Sequence, residues 1–252
     1  MRQFARWFIV ACIFLLVSCV TKGSNPEDPY EPINRKIHKF NQKFDGILLK
    51  PLAIVYKTVL PKPVRASVNN AYDNINMIPS VGNDLLQADW RWAIKDFWRF
   101  FFNSTFGVAG LFDIASTRFG LPPHSNDLGL TFAKWGNPKS PYIVLPLLGP
   151  STIRDAMGDM FEYAIMTPYP YISNNAILYS LLGVRYVDLR SQFLDKEALM
   201  KEALDPYSFV RDAYLQHRNY KIQMVLGKNH DNPAEVNNPE ADKTLGSDYV
   251  GE

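Results

Sequence analysis

The sequence predicts an essentially all-α protein, and three observations carry that prediction. Apolar residues recur at a helical period through most of the chain, prolines stand where helices would begin, and strand signals are weak. The best strand candidate is the run YIVL at residues 142–145, which stops at Pro146 and has no clear partner elsewhere. We therefore expect a series of short helices.

The N-terminal segment has the composition of a bacterial export signal. Residues 1–18 contain Arg2 and Arg6, then an apolar run, and end at Ser18 before Cys19. The apolar run is roughly ten residues long, whereas about 20 are needed to span a bilayer core, so a cleaved signal is favoured over an uncleaved anchor. We predict a lipoprotein signal peptide at residues 1–18 and lipidation of Cys19 by a diacylglycerol and an N-acyl chain.

Cysteine usage and charge limit the remaining classes. Cys12 and Cys19 are the only cysteines, and Cys12 lies in the segment that would be removed, so we expect a mature chain without a disulfide. The chain has 27 basic and 25 acidic residues, and loss of Arg2 and Arg6 makes these numbers equal. A nucleic-acid binder needs a basic surface that releases counterions, so we expect no nucleic-acid partner.

The rest of the chain divides into three predicted parts. Residues 19–30 contain Lys, Gly, Ser, Asn and Pro and almost nothing apolar to bury, which predicts a lipid-anchored tether. Residues 227–252 are polar and lack hydrophobic periodicity, which predicts a disordered C-terminal tail. Between them, residues 31–226 form the predicted helical domain.

The first helix of that domain is amphipathic. Its apolar residues follow the helical period, and its opposite face is basic. The basic face is typical of a solvated surface, although beside a lipid anchor it would also suit contact with lipid headgroups. The apolar positions are Ile33, Ile37, Phe40, Phe44 and Leu48, and the basic positions are Arg35, Lys36, Lys39 and Lys43.

Later helix starts are marked by prolines and capping residues. Pro51 and Pro63 each precede an apolar run at helical spacing, as prolines in a first helical turn do. Capping residues predict three further starts, at Asp89, at Ser151 and at the pair Asp205 and Pro206.

The segment over residues 89–106 is unusually aromatic, which leaves little of a helix circumference polar. Two interpretations stay open, a central core helix of a soluble bundle or a helix whose aromatic side chains lie at a membrane interface. In either case Lys95, Asp96 and Arg99 need polar partners or a wet cavity. The aromatic residues are Trp90, Trp92, Phe97, Trp98, Phe100, Phe101, Phe102 and Phe106.

A series of short motifs follows in a particular order along the chain. The motifs are DPYEPINR at residues 28–35, FN at 40–41, KP at 50–51, NDLLQ at 83–87, RF at 99–100, NST at 103–105, GLFD at 110–113, LPLLGPS at 145–151 and RD at 154–155. This order and spacing resembles the MlaA family, also called VacJ, of outer-membrane lipoproteins, over about residues 28–212. At residues 126–131 the chain departs from the family's Phe-Gly-Gln-Thr pattern, because Leu128 and Leu130 stand there.

The resemblance implies a fold, a location and a function. The implied fold is a ring of short amphipathic helices that lies in the periplasmic leaflet of the outer membrane around an amphipathic channel. The implied function is to remove mislocalised phospholipid from the outer leaflet and to pass it to a periplasmic carrier, together with a trimeric porin, so that lipid asymmetry is maintained. Val20 is not the aspartate that marks inner-membrane retention in enteric bacteria, which favours the outer membrane as the location of the anchored protein.

Polar residues within these motifs are candidates to line a channel or a gate. Each has a plainer alternative, since Asn34 would also suit an N-cap, Asn41 a helix surface, Arg65 a first-turn surface charge, and Asn83 with Asp84 a cap or turn. An apolar hairpin tip is a further candidate at a channel mouth, with a helix-to-helix turn as its alternative. The full candidate set is Asn34, Arg35, Phe40, Asn41, Arg65, Asn83, Asp84, Leu147, Leu148, Gly149 and Pro150.

Two other function classes compete with lipid transport, namely a lipid hydrolase and an adaptor lipoprotein that binds a porin without moving lipid. The sequence lacks the Gly-x-Ser-x-Gly, His-Glu-x-x-His and Gly-x-x-x-x-Gly-Lys motifs. Residues 124–127 (HSND) read as a loop, since a catalytic triad is defined by spatial geometry. We expect no enzyme activity, no cofactor and no metal, with each of His38, His124, His217 and His230 solvated or locally hydrogen-bonded.

Overall fold

A computed structural model describes Gly23, residues 25–197 and residues 202–227. The predicted signal peptide, Cys19 and all of the predicted tail except Gly227 lie outside the described residues. Within the described part, none of the helices combines the length and the apolar character that a membrane-spanning helix requires.

The all-α prediction is confirmed, because helices dominate the described chain and a two-stranded hairpin is the one sheet found there. A π-helical turn over Asp45–Leu49 joins the first two helices, and short 3-10 turns lie at Tyr169–Tyr171 and Leu194–Lys196. The helices are α1 (Glu31–Phe44), α2 (Lys50–Val59), α3 (Lys62–Leu86), α4 (Trp90–Thr105), α5 (Ile114–Phe119), α6 (Leu128–Lys134), α7 (Ile153–Ile165), α8 (Asn175–Gln192) and α9 (Pro206–Val225).

Helix α3 is longer than the series of short helices that the sequence predicts, because it spans 25 residues. Pro63 occupies its first turn, where a missing N–H costs nothing. Pro79 lies inside the helix without ending it. A proline within the chain therefore does not always mark the start or the end of a helix.

The strand at residues 142–145 has a partner, contrary to the sequence expectation. β1 (Tyr142–Leu145) pairs antiparallel with β2 (Gly149–Thr152), and Leu145 lies opposite Gly149. Positive φ angles of 65° at Leu147 and 90° at Gly149 close the turn. The predicted hairpin tip is thus confirmed, and the helix-to-helix turn is wrong.

Helix starts follow the predicted caps with one shift. Asp89 accepts a hydrogen bond from the backbone N–H of Trp92, and Asp205 accepts one from that of Tyr207, so both predicted caps are confirmed. The cap predicted at Ser151 is wrong by one residue. Ser151 belongs to β2, and Thr152 accepts the bond from the backbone of the next helix.

The folded body begins earlier than Glu31. The backbone N–H of Tyr142 donates to the carbonyl of Glu27, and Asp28 is fully buried although it lies in the segment predicted as a tether. Asn34 and Tyr207 both donate to the Asp28 carboxylate, which fixes this segment against the body.

Contacts between elements close into a ring. Neighbouring elements touch in a circuit that leaves α1 and returns to it, while α4 packs beside α3 and α7 packs beside α6. The circuit runs α1, β1, β2, α9, α6, α3, α8, α2 and back through the π-helical turn to α1.

Candidate functional site

Helix α4 has its polar residues inside and its aromatic residues outside. Trp90 at its start and Phe106 just after its end are each 64% exposed. The interpretation of this segment as a central core helix is therefore wrong. The buried face consists of Ala93, Asp96, Arg99 and Asn103, and the exposed aromatic residues are Trp90, Phe97, Trp98, Phe101 and Phe106.

The same inversion extends over the described molecule. Among the described residues 20 polar or charged side chains are buried against 13 hydrophobic ones, while 39 large hydrophobic side chains are exposed. Soluble proteins expose single apolar residues, but contiguous apolar surface on this scale marks contact with lipid or with another protein. The exterior of the ring is thus apolar and its interior is polar.

The polar face of α4 is held by hydrogen bonds to the segment that follows it. Arg99 donates to the hydroxyl of Ser116 at 2.8 Å and to the carbonyl of Leu121, and its guanidinium lies 3.3 Å from both carboxylate oxygens of Asp113. Asn103 donates to Asp113 at 3.0 Å and accepts from the next helix. The polar partners that the sequence demanded for this face are present.

A second interior network centres on Arg218 of α9. Its guanidinium donates to Asp127 at 2.6 and 2.7 Å and to Asp155 at 2.7 Å. Burial alone would raise the pKa of Asp127, but the hydrogen bonds from Arg218 hold that pKa below its usual range. Arg154 pairs with Asp155 at 2.7 Å from the other side. One buried cation therefore ties α6, α7 and α9 together.

Two glycines make this packing possible. A Cβ on Gly129 would lie 2.4 Å from the Asp155 carboxylate, and a Cβ on Gly158 would lie 2.5 Å from the backbone nitrogen of Gly129. Helices α6 and α7 approach so closely that only glycine fits at both positions. None of Arg218, Asp127 or these glycines was a candidate at the sequence level.

Candidates on α1 hold the hairpin in place. Asn34 donates to Asp28 at 2.8 Å and accepts from the backbone of Val144 at 2.9 Å. It is a buried residue within the first turn of α1, whose N-cap is Tyr30, so the N-cap alternative is wrong. Asn41 lies about two turns further along the same face of α1. It donates to the carbonyl of Leu145 at 2.9 Å and accepts from the backbone of Leu147 at 2.8 Å.

Other candidates near the hairpin face outward. Phe40 is 53% exposed, and Leu148 at the hairpin tip is 61% exposed. Arg35 pairs with Asp205 at 2.6 Å and lies over the Tyr207 ring at 4.3 Å. Leu147 is exposed, and Gly149 and Pro150 are half-buried in β2.

The candidates on α3 lie elsewhere. Asn83 is fully buried and donates to Glu162 at 2.8 Å, while the Thr131 hydroxyl donates to the side-chain amide oxygen of Asn83 at 2.8 Å. Asp84 accepts from Asn126 at 2.7 Å. Arg65 donates to the carbonyl of Leu60 at 3.1 Å, beyond the end of α2. The candidate set is therefore divided among three places in the ring, and its role in a channel or gate stays a prediction.

Asp159 and Glu162 of α7 interact electrostatically with each other, and Asp159 also with Tyr186 of α8, and we call these three residues the acidic recess. Asp159 and Tyr186 are exposed, yet burial raises the pKa of Asp159 to about 6 and that of Glu162 to about 7, with the charge of Asp127 adding to both. Burial and the charge of Asp159 raise the pKa of Tyr186.

One group of side chains has the composition of a metal site. Among the described residues, Asp84, Asp96 and His124 offer ligand atoms within 4.8 Å of one another. Ser125 beside His124 is exposed and Asp127 pairs with Arg218, so residues 124–127 form no triad.

Comparison with known proteins identifies the family. A family model described as MlaA lipoprotein matches residues 26–221. The chain belongs to the MlaA lipoprotein family. The resemblance proposed from the sequence motifs is confirmed.

Relatives within the MlaA family extend over most of the chain. An intermembrane phospholipid transport system lipoprotein of Escherichia coli K12 is 30% identical over 232 residues, which cover 87% of this chain and 89% of that protein. An uncharacterized protein of Rickettsia bellii is 36% identical over 211 residues, which cover 83% of this chain and 82% of that protein.

A solved structure shares the fold. It comes from work on the structural basis for maintenance of bacterial outer-membrane lipid asymmetry, and it matches with a TM-score of 0.69 at 30% identity. The match covers 77% of this chain and 98% of the solved chain.

Proposed function

We propose that this chain is a lipoprotein of intermembrane phospholipid transport. It removes mislocalised phospholipid from the outer leaflet of the outer membrane and passes it to a periplasmic carrier protein, so that lipid asymmetry is maintained. Relatives named for phospholipid transport support this proposal. The observation that carries it is the inverted ring, with an apolar exterior and a polar interior.

The apolar exterior supports embedding in the periplasmic leaflet. Helix α4 has 16 residues and is about 24 Å long at 1.5 Å per residue, which exceeds the roughly 15 Å of one hydrocarbon leaflet. It therefore lies tilted or flat, as interfacial helices do. An apolar groove of about 300 Å³ on this surface is lined by Trp98, Phe102, Phe119 and Leu121 and suits an acyl chain.

The polar interior supplies what a moving headgroup needs. A charged headgroup that crosses hydrocarbon loses several kcal/mol of hydration free energy. Polar groups inside the ring, including the acidic recess, remove much of that penalty. The proposed step breaks no covalent bond, so the chain acts without catalysis and depends on its partners for direction.

Anchoring and partners complete the proposal. Lipidation of Cys19 holds the protein on the periplasmic side of the outer membrane, and a single anchor together with an apolar surface gives stable attachment. A trimeric outer-membrane porin fits against the apolar exterior. An adaptor lipoprotein would use the same surface, so the two functions differ in whether the polar interior matters.

The test is outer-leaflet phospholipid in a strain that lacks the gene. The strain is complemented with the wild-type chain, with Cys19→Ala or with Glu162→Ala, which empties part of the acidic recess. Exposed Glu27→Ala is the matched control. We expect the wild type and the control to restore asymmetry, and the other two variants to fail although the Glu162 variant reaches the membrane. Full restoration by Glu162→Ala together with failure of Cys19→Ala would favour the adaptor.

A further inference from the structure

The cluster of Asp84, Asp96 and His124 joins three elements of the chain. Asp84 lies near the end of α3, Asp96 lies in α4, and His124 lies in the segment that leads to α6. Nδ1 of His124 is 2.7 Å from Oδ2 of Asp96 and 4.0 Å from Oδ2 of Asp84. Both aspartates are fully buried, and the histidine side chain keeps 21% of its surface exposed.

Each carboxylate has an oxygen without a protein partner. Oδ1 of Asp84 accepts from Asn126, and Oδ2 of Asp96 contacts His124, which leaves Oδ2 of Asp84 and Oδ1 of Asp96 buried and unpaired. A buried polar atom without a partner costs free energy, and such atoms in native proteins call for an explanation. Two of them in one cluster are best explained by a ligand.

The charges of the cluster indicate that such a ligand is a cation. Two buried carboxylates lie together, and among the described residues the only basic side chain within 4.0 Å of either is His124. A divalent cation would neutralise both carboxylates, whereas the neighbouring Lys95 is directed to the Trp92 ring at 4.5 Å.

The types of ligand atom in the cluster and their spacing favour a transition-metal ion. A tetrahedral site with bonds of about 2.0–2.1 Å separates its ligand atoms by roughly 3.3 Å. Nδ1 is at hydrogen-bond distance from Asp96, 2.7 Å, and 4.0 Å from Asp84, so binding of an ion opens the first contact by roughly 0.6 Å and closes the second by about as much. Stacking of the His124 ring on Trp92 at 4.1 Å and the Asn126 contact fix two of the ligands, as outer-shell partners do. One nitrogen with two carboxylates suits Zn²⁺ better than Mg²⁺ or Ca²⁺.

We propose that Asp84, Asp96 and His124 bind one divalent transition-metal ion of the Zn²⁺ class. The ion replaces the proton between His124 and Asp96, which is released, and the exposed edge of the histidine leaves a position for water. It links α3, α4 and the segment before α6. The sequence did not indicate this metal site, because the three ligands come from separate elements of the chain.

The experiment uses the full-length lipidated chain in nonionic detergent, purified through a tag without histidine and stripped with a chelator. Zn²⁺ affinity is measured by competition with a fluorescent chelator, and bound metal is counted by mass spectrometry after dialysis. The variants are His124→Gln and Asp84→Asn, with exposed His217→Gln as the matched control.

We expect one Zn²⁺ per wild-type or His217→Gln chain and an affinity at least about 100-fold lower in His124→Gln, since even outer-shell changes cost 10- to 100-fold. Zn²⁺ should also raise the unfolding temperature of the wild type more than Mg²⁺ does. Substoichiometric Zn²⁺ on the wild type, or equal affinity in the wild type and His124→Gln, would overturn the proposal. If the variants do not fold, Co²⁺ bound to the wild type decides, because absence of a tetrahedral visible spectrum would also overturn it.

Discussion

The inner and outer faces of α4 differ in the solvent for which they are built. The inner face carries Asp96, Arg99 and Asn103, each with hydrogen-bonded partners, and the outer face carries exposed aromatic side chains such as Trp98. In an amphipathic helix of a soluble protein the polar face meets water and the apolar face is buried. The difference teaches that polar networks join the elements in the interior of this protein, while its apolar surface is suited to contact with lipid or partners.

The largest expected effect follows from breaking the inner face. Arg99→Leu leaves the half-buried Asp113 without its cation, and we expect a loss of roughly 2 kcal/mol in the free energy of unfolding, because removal of one partner strands the other charge. Arg91→Leu, at an exposed position on the same helix, is the matched control and should change stability by less than about 0.5 kcal/mol. Denaturant unfolding in detergent measures both. Equal losses would show that the two faces do not differ.

Glycine packing tests whether the interior is tightly closed. Gly158→Ala places a Cβ 2.5 Å from the Gly129 nitrogen, and we expect a loss of about 2 kcal/mol from overpacking. Gly183→Ala in α8 meets no atom within 4 Å and should instead gain up to about 1 kcal/mol from helix propensity. Thermal unfolding of the two variants in parallel should give shifts of opposite sign. Shifts of the same sign would contradict the close approach of α6 and α7.

The acidic recess gives the interior a pH dependence. The pKa of Glu162 is raised by burial from 4.5 to about 7, so its favourable contribution to stability is present below pH 4.5 and is lost as pH rises through about 7. Glu162→Gln stays neutral, and we expect it to be more stable than the wild type at pH 8, by on the order of 2 kcal/mol, and similar at pH 4.5. Exposed Glu27→Gln is the control. Unfolding curves at both pH values measure the effect. A difference in unfolding free energy between Glu162→Gln and the wild type that is the same at both pH values would contradict a raised pKa of Glu162.

The smallest effect on folding is expected at the outer face. Phe97→Ser removes an exposed aromatic side chain and should leave stability in detergent within about 0.5 kcal/mol, since the side chain is already half-exposed. Its partitioning into liposomes should fall, because apolar area in contact with lipid is lost. Flotation of liposomes with the wild type and the variant measures this. A large loss of stability would mean that Phe97 packs inside.

The sequence predicted the local features of the fold. Helical periodicity, the caps at Asp89 and Asp205 and the hairpin tip depend on neighbouring residues, and the structure confirms them. The partner strand of β1 was missed because Pro150 lacks an N–H and β2 has only four residues.

The interior networks could not be predicted, because their members are far apart in sequence. Arg218 and Asp127 are separated by 91 residues, and Asn34 reaches Val144 across 110. Which face of α4 is buried could not be predicted either, because amphipathicity shows that the two faces differ but does not show which of them faces inward. The charged residues Asp96 and Arg99 give a hint, since both demand polar partners.

The central claim is that the outer face of the ring meets hydrocarbon while the inner face does not. The predicted mature chain has Cys19 as its only cysteine, and lipidation blocks that thiol, so single spin labels can be placed at Phe101→Cys on the outer face and at exposed Lys139→Cys in a loop. In liposomes, we predict that the label at position 101 is relaxed strongly by oxygen and weakly by a water-soluble nickel complex, with the reverse at position 139. A label at position 101 that is as accessible to nickel as the loop label would contradict the inside-out account.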